Sequence, residues 1–115
     1  MSDANIPSTW ASCKLANIAI WGSGGTPSRG NKQFYGGKIP WLKTGDLTDS
    51  IVTVVDENIT EKGLDQISGG IYPINTVVMA MYGATIGKLG LLKIPCATNQ
   101  ACACATCKEG IDPWF

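Results

Sequence analysis

Glycine and proline punctuate this sequence so densely that no long regular element fits between them. Fourteen glycines and six prolines stand among 115 residues, about one position in six. Glycine opens backbone angles closed to other residues, and proline removes a donor, so both favour turns over helix interiors. That excludes a long helical bundle and predicts short elements with irregular connections. The densest stretch, WGSGGTPSRGNKQFYGGK at 21–38, holds six glycines and a proline with little periodicity. It reads as a long loop of the kind that is functional or mobile. Hydrophobic residues make up 44% and charged residues 16%, enough for a chain of this length to bury one core.

The apolar spacing predicts a short helix within 10–20, from Trp10, Leu15 and Ile18. A strand is expected at 40–43, with Pro40 at its start where a missing N–H is tolerated, and another at the β-branched run IVTVV, 51–55. Residues 60–67 read as a short helix opened by a Thr or Asn cap with acids in its first turn. Segments 76–82 and 86–94 suggest antiparallel strands, Gly87 and Gly90 bending the second, and 98–106 suggests a last strand. The fold class is therefore α+β: a β-rich single domain over 10–115 with glycine-rich connections, preceded by a polar segment 1–9.

Histidine is absent. This removes Ser-His-Asp and Cys-His nucleophile systems and His-ligated zinc. Five cysteines, Cys13, Cys96, Cys102, Cys104 and Cys107, form an odd set without an apolar leader, which fits reduced thiols in a cytoplasm. Their run ATNQACACATC alternates small residues, so Cys102 and Cys104 share one face of a strand and read as core rather than metal ligands. The segment GATIGK at 83–88 imitates a phosphate loop, but its glycines are one residue too close and Leu89 replaces the magnesium-holding hydroxyl. Asp46 and Asp49 would make a carboxylate pair, yet an Asp in a turn more often binds nearby backbone. No apolar run approaches the ~18 residues of a membrane span.

Net charge is zero, but the charges are blocked. Residues 14–43 carry Lys14, Arg29, Lys32, Lys38 and Lys43 without an acid, and 44–65 carry six acids against Lys62 alone. A fold could gather the basic parts on one face, or they could be ordinary solvated charges. Arg29, Asn31, Lys32, Gln33 and Tyr35 place phosphate-binding charge, base-edge amides and an aromatic ring in one loop. Thr85 and Lys88 lie beside a second glycine turn.

Six motifs occur in one order: WxxxKLANI at 10–18, SGGTPS at 23–28, YGGxIPWLKTGDL at 35–47, ITxxGL at 59–64, YGATIGK at 82–88 and ATNQA at 97–101. Together they resemble the target recognition domain of the specificity subunit of type I restriction–modification enzymes, over about residues 10 to 107. The resemblance implies sequence-specific binding of double-stranded DNA with no catalysis in this chain. It implies partner modification subunits that bind S-adenosylmethionine, and restriction subunits that use ATP and magnesium; no cofactor is expected here. On this basis Arg29, Asn31, Lys32 and Gln33 are the expected DNA contacts, supported by Lys43, Thr44, Tyr82, Thr85 and Lys88. The recurring 23–28, Pro40, Trp41, Gly45, Asp46, 83–87, Asn99 and Gln100 positions are read as framework. Trp41 would anchor packing, and Asn99 and Gln100 would satisfy buried backbone groups.

The chain ends before the distal part of such a domain and before any spacer helix, so an incomplete recognition domain is expected. An open strand edge would let it pair as a homodimer. The alternative function is an interaction or assembly module without useful DNA affinity, for which the zero net charge argues. An enzyme using Cys102, Cys104 or the Asp46/Asp49 pair has only residue type behind it.

Overall fold

A computed structural model describes Ser8 and residues 10–115; the rest of the polar segment 1–9 lies outside the described residues. Between the glycine turns the chain forms β1 (Ala19–Gly22), β2 (Tyr35–Leu42), β3 (Ser50–Val52), β4 (Glu57–Ile59), β5 (Val77–Ala80), β6 (Leu89–Leu92), β7 (Ala97–Thr98) and β8 (Cys102–Cys107). Two helices of about one turn, α1 (Leu15–Ile18) and α2 (Glu61–Asp65), complete it. The strands make a five-stranded sheet in the order β1-β8-β5-β6-β3 and a three-stranded sheet in the order β4-β2-β7. β3 runs parallel to β6 and β7 parallel to β2; the other pairs are antiparallel. No helix among the described residues is long and apolar enough to cross a membrane.

The three-stranded sheet is buried on both faces where Trp41 and Leu42 meet Ala97 and Thr98, and there its central strand loses the alternation it shows from Tyr35 to Ile39. Neighbouring residues of β2 point into different cores. Leu42 joins Leu47, Val52, Val78, Leu92 and the buried Cys96, Cys102 and Cys104 under the five-stranded sheet. Trp41, only 1% exposed, packs with Ile59 and Ala97 and is flanked by Tyr35, Ile39, Leu64 and Ile67. Burial pushes the Cys96 and Cys102 thiols up to about 12 and raises Cys104 as well, so all three are protonated, unreactive core groups at neutral pH.

Several elements depart from expectation. The 10–20 helix contracts to α1 because from Ala19 the backbone pairs with β8 instead. Trp10 and Leu15, expected on its buried side, are exposed, so no apolar stripe holds a longer helix together. The strand expected at 98–106 is broken by a turn at 99–101, whose Asn99 Oδ1 accepts from Ala101 N at 3.2 Å; its halves, β7 and β8, enter different sheets. β2 begins at Tyr35 rather than 40, with an irregularity between Tyr35 and Ile39 where Gly36 adopts φ +78°. β4 fell within the acidic block and was not expected. Thr60 does cap α2, its hydroxyl accepting from Gly63 N at 3.1 Å, and β5 and β6 are antiparallel as read.

The glycine-rich stretch is a pinned strap, not a free loop. Gly25 N donates to Thr98 O at 3.0 Å and Ser23 Oγ to Cys102 O at 2.6 Å. Trp41 Nε1 donates to Gly25 O at 3.1 Å, Tyr35 OH to Pro27 O at 2.5 Å and Tyr72 OH to Ser23 O at 2.6 Å. Gly24 lies so close to β7 that a Cβ there would collide with the Thr98 carbonyl. Glycine is therefore required at this position by space, and the carbonyls of Ser23, Gly24, Gly25 and Pro27 are satisfied by side chains rather than by a ladder.

Candidate functional site

The residues expected to contact a ligand fall into two groups on different elements. Arg29, Asn31, Lys32, Gln33, Lys43 and Thr44 surround β2, while Tyr82, Thr85 and Lys88 lie on the β5–β6 connection. The 99–101 turn links their supports. Asn99 N donates to Leu42 O at 3.0 Å, just before Lys43, and Met81 N donates to Ala101 O at 2.8 Å, just before Tyr82. From the strap, Thr26 Oγ1 donates to Gln100 Oε1 at 2.6 Å.

The first group is built around Glu57, which the antiparallel register sets opposite Trp41. Arg29 grips the Glu57 carboxylate with both terminal nitrogens, at 2.8 and 3.1 Å. The same guanidinium lies 4.8 Å from the Tyr35 ring centre and 5.0 Å from that of Trp41, and the two rings meet edge to face. Planarity lets arginine stack and pair at once. Lys43 Nζ approaches Glu57 at 2.6 Å and Asp56 at 3.4 Å. The Arg29 hydrogen bonds, then those of Lys43, hold the Glu57 carboxyl down to about 2, and Glu57 in turn raises both basic groups. These two cations are thus already neutralised from within.

The remaining members serve local roles. Asn31 Oδ1 accepts from Gln33 N at 2.9 Å and opens the turn Lys32–Phe34. Gln33 binds α2 twice: its carbonyl accepts from Thr60 Oγ1 at 2.6 Å and its Oε1 from Lys62 Nζ at 3.4 Å. Lys32 is exposed, and Thr44 is half-buried at the start of a second tight turn, Thr44–Asp46.

In the second group, GATIGK forms the hairpin connection rather than a phosphate cradle. Gly83 and Gly87 take φ +91° and +84°, Gly87 N donates to Ala80 O at 2.9 Å, and no helix follows. Tyr82 and Ile86 are exposed at its tip. Lys88 Nζ lies 3.3 Å from Asp49 Oδ2. Asp49 Oδ1 accepts from Leu89 N at 2.9 Å, and this bond, with Lys88, lowers its pKa. Asp46 accepts from Lys43 N at 2.9 Å and Asp56 N at 3.3 Å. Both carboxylates therefore tie backbone, as a turn aspartate does.

Asn99 fulfils its framework reading, accepting from Ala101 N and the Cys102 thiol, each at 3.2 Å. Gln100 departs from it, being exposed and held through its side chain by Thr26. Glu57 is the residue that the sequence did not single out beyond counting it in the acidic block; Thr26 was read only as part of the 23–28 framework. The β2–β4 register that gives Glu57 its place has no local signature, whereas the Thr26–Gln100 bond joins two of the recurring motifs. Among the described residues no cluster of three or more His, Cys, Asp or Glu side chains is arranged for a metal ion.

Comparison with known proteins places this geometry in context. A family model described as the type I restriction modification DNA specificity domain matches residues 7–113. The MjaIX type I restriction enzyme specificity subunit of Methanocaldococcus jannaschii is 33% identical over 109 residues, covering 92% of this chain and 25% of that protein. The EcoR124I/EcoR124II specificity subunit of Escherichia coli is 30% identical over 90 residues, 75% of this chain and 22% of that protein. The chain thus spans about a quarter of the length of these relatives. The crystal structure of the HsdS subunit from Thermoanaerobacter tengcongensis superposes with a TM-score of 0.75 at 13% identity, over 99% of this chain and 27% of that one. A structure from a study of assembly and conformational transition of the type I R-M system gives 0.69 at 15% identity, over 97% and 27%. At such identities these likenesses establish the β-rich fold.

Proposed function

Because the chain belongs to the type I restriction modification DNA specificity domain family, we propose that it recognises a short sequence in double-stranded DNA on behalf of a restriction–modification complex. The observation that carries this reading is the family match across nearly the whole chain. The geometry supports it by mounting arginine, lysine, amide and tyrosine side chains on glycine-set turns joined through 99–101. Phosphate contacts would set register, and amides such as Gln33 and Gln100 would meet base edges. We assign no catalysis to the chain. Modification subunits with S-adenosylmethionine, and restriction subunits with ATP and magnesium, would act on the site it selects, in the cytoplasm.

The test is a titration against a randomised duplex pool at two salt concentrations, with the bound fraction sequenced. An enriched short motif bound with salt-sensitive affinity supports recognition. Binding without enrichment reduces the chain to a backbone binder, and no binding by folded protein at low salt refutes the reading.

A second reading, self-association, is favoured by one observation. A row of cross-strand partners spans all five strands of the larger sheet, Ile51, Leu91, Val77, Ala105 and Trp21, on the face opposite the thiol-rich core. Its two ends, Ile51 and Trp21, are exposed, Val77 is half-buried and Leu91 and Ala105 are buried, and the row bears no charge that would repel a second copy. A mass that doubles with concentration in light scattering supports this homodimer; a constant monomer mass refutes it.

A further inference from the structure

The Arg29–Glu57–Lys43 cluster has the makings of an anion seat with its own anion in place. A guanidinium fork fits a carboxylate and a phosphate with the same paired geometry. Here the fork is fixed by stacking on Tyr35 and Trp41, and a lysine converges on the same acceptor, 2.6 Å from Glu57 Oε2. Glu57 arrives from β4, whereas Arg29 lies on the strap and Lys43 just past the end of β2. The cluster is not sealed: the Arg29 side chain remains 54% exposed and that of Glu57 30%. A phosphate approaching from solvent can therefore compete for the guanidinium.

We propose that Glu57 is a charge gate and a specificity-determining residue: its carboxylate occupies the seat between Arg29 and Lys43 and withholds both cations from the phosphates of non-cognate duplexes. This rests on the DNA-recognition reading above. A recognition module gains discrimination by weakening the sequence-independent part of its binding, because backbone contacts favour every duplex alike. Removing the negative charge while keeping the side chain's shape opens the gate. Glu57 loses its ion pairs, Arg29 becomes available to any phosphate, and Lys43 keeps only its longer contact, 3.4 Å, to the well-exposed Asp56, from which a phosphate can draw it.

The experiment compares wild type, Glu57→Gln and Glu57→Gln with Lys43→Met, each checked for folding by circular dichroism, on a random-sequence duplex across a salt series. Glu57→Gln is expected to bind more tightly than wild type, its log–log salt slope steeper by about 0.9 for each cation released; adding Lys43→Met removes one such step. Lys43→Met alone, which keeps the Arg29–Glu57 pair, is expected to leave the wild-type slope unchanged on that duplex. Equal affinity and slope for wild type and Glu57→Gln overturn the gate while leaving DNA recognition standing. Wild type and Glu57→Gln that are both folded and both without duplex affinity overturn both; duplex binding by wild type but not by folded Glu57→Gln overturns the gate alone. If Glu57→Gln does not fold, the single Lys43→Met variant decides: a slope that falls by about 0.9 shows Lys43 already on phosphate and sinks the proposal.

Discussion

The strap side and the hairpin tip each carry a basic side chain beside a tyrosine and a glycine turn, yet they are built in opposite ways. Around Trp41, Arg29 and Lys43 converge on one carboxylate, and Arg29 is stacked on rings that also close a core. At the hairpin, Lys88 has one exposed partner, Asp49, and Tyr82 stands in solvent. Charge that looks equivalent in sequence therefore differs in what must be disrupted before it can meet a ligand. On the strap side a partner has to displace an internal anion from a fixed cation; at the hairpin it has to displace mainly water.

The sharpest way to break that contrast is to remove the platform. Trp41 fills the smaller core, stacks against Arg29 and donates to Gly25 O. Trp41→Ala leaves a cavity too large for its neighbours to close, and is expected to cost about 3–5 kcal/mol. It also releases the strap, so urea denaturation of the variant should show a large fall in midpoint or no cooperative transition. A loss of under about 1 kcal/mol would mean that the aromatic platform does not hold the two halves together.

How much of this was legible beforehand depends on the range of the interactions involved. The Thr60 cap, the antiparallel β5–β6 pair and the buried Cys102 and Cys104 face all follow from local rules: a hydroxyl before a helix, two apolar runs around a turn, a two-residue alternation. The contraction of the 10–20 helix to Leu15–Ile18 shows the limit of such rules. Trp10, Leu15 and Ile18 have helical spacing, but β8 offers Ala19 onward a full antiparallel partner, and the pairing is set nearly ninety residues away. The ordered six-motif series carried the family, and the run of short strand and helix signals carried the α+β class. The site was legible only as a set of residue types. That Arg29 and Lys43 share Glu57 depends on the Trp41–Glu57 register, and that the glycine-rich stretch is pinned depends on carbonyls of β7 and β8. Sequence position marked the basic residues; tertiary pairing decided which of them are already engaged.

A smaller effect sharpens the contrast through pH. The Glu57 carboxyl is depressed from its ordinary 4.5 to about 2, first by Arg29 and then by Lys43. A depressed acid binds its proton less readily when folded, so its contribution to stability is fully present above 4.5 and is lost as pH falls from there through about 2. With the carboxylate partly exposed, Glu57→Gln is expected to cost about 1 kcal/mol at neutral pH. Urea midpoints measured from pH 7 to 2 should therefore separate wild type from Glu57→Gln at the neutral end and bring them together at the acid end. A constant gap across the range would show that the loss is one of packing, not of ion pairing.

The smallest effects on stability belong to the hairpin, and they test its openness. Tyr82→Ala removes an exposed ring and should change stability by no more than about 0.5 kcal/mol. Lys88→Ala removes one side of an exposed ion pair and should leave the urea midpoint nearly unchanged, because Asp49 retains its bond from Leu89 N. If the tip meets DNA, the two variants should differ in how they weaken binding. Losing Lys88 should flatten the salt slope by about 0.9, whereas losing the uncharged Tyr82 should lower affinity at every salt concentration alike. That pattern would assign the open charge to backbone contact and the ring to the groove or a sugar. Neither variant changing affinity would place the hairpin away from the duplex, and leave the strap side as the face that meets it.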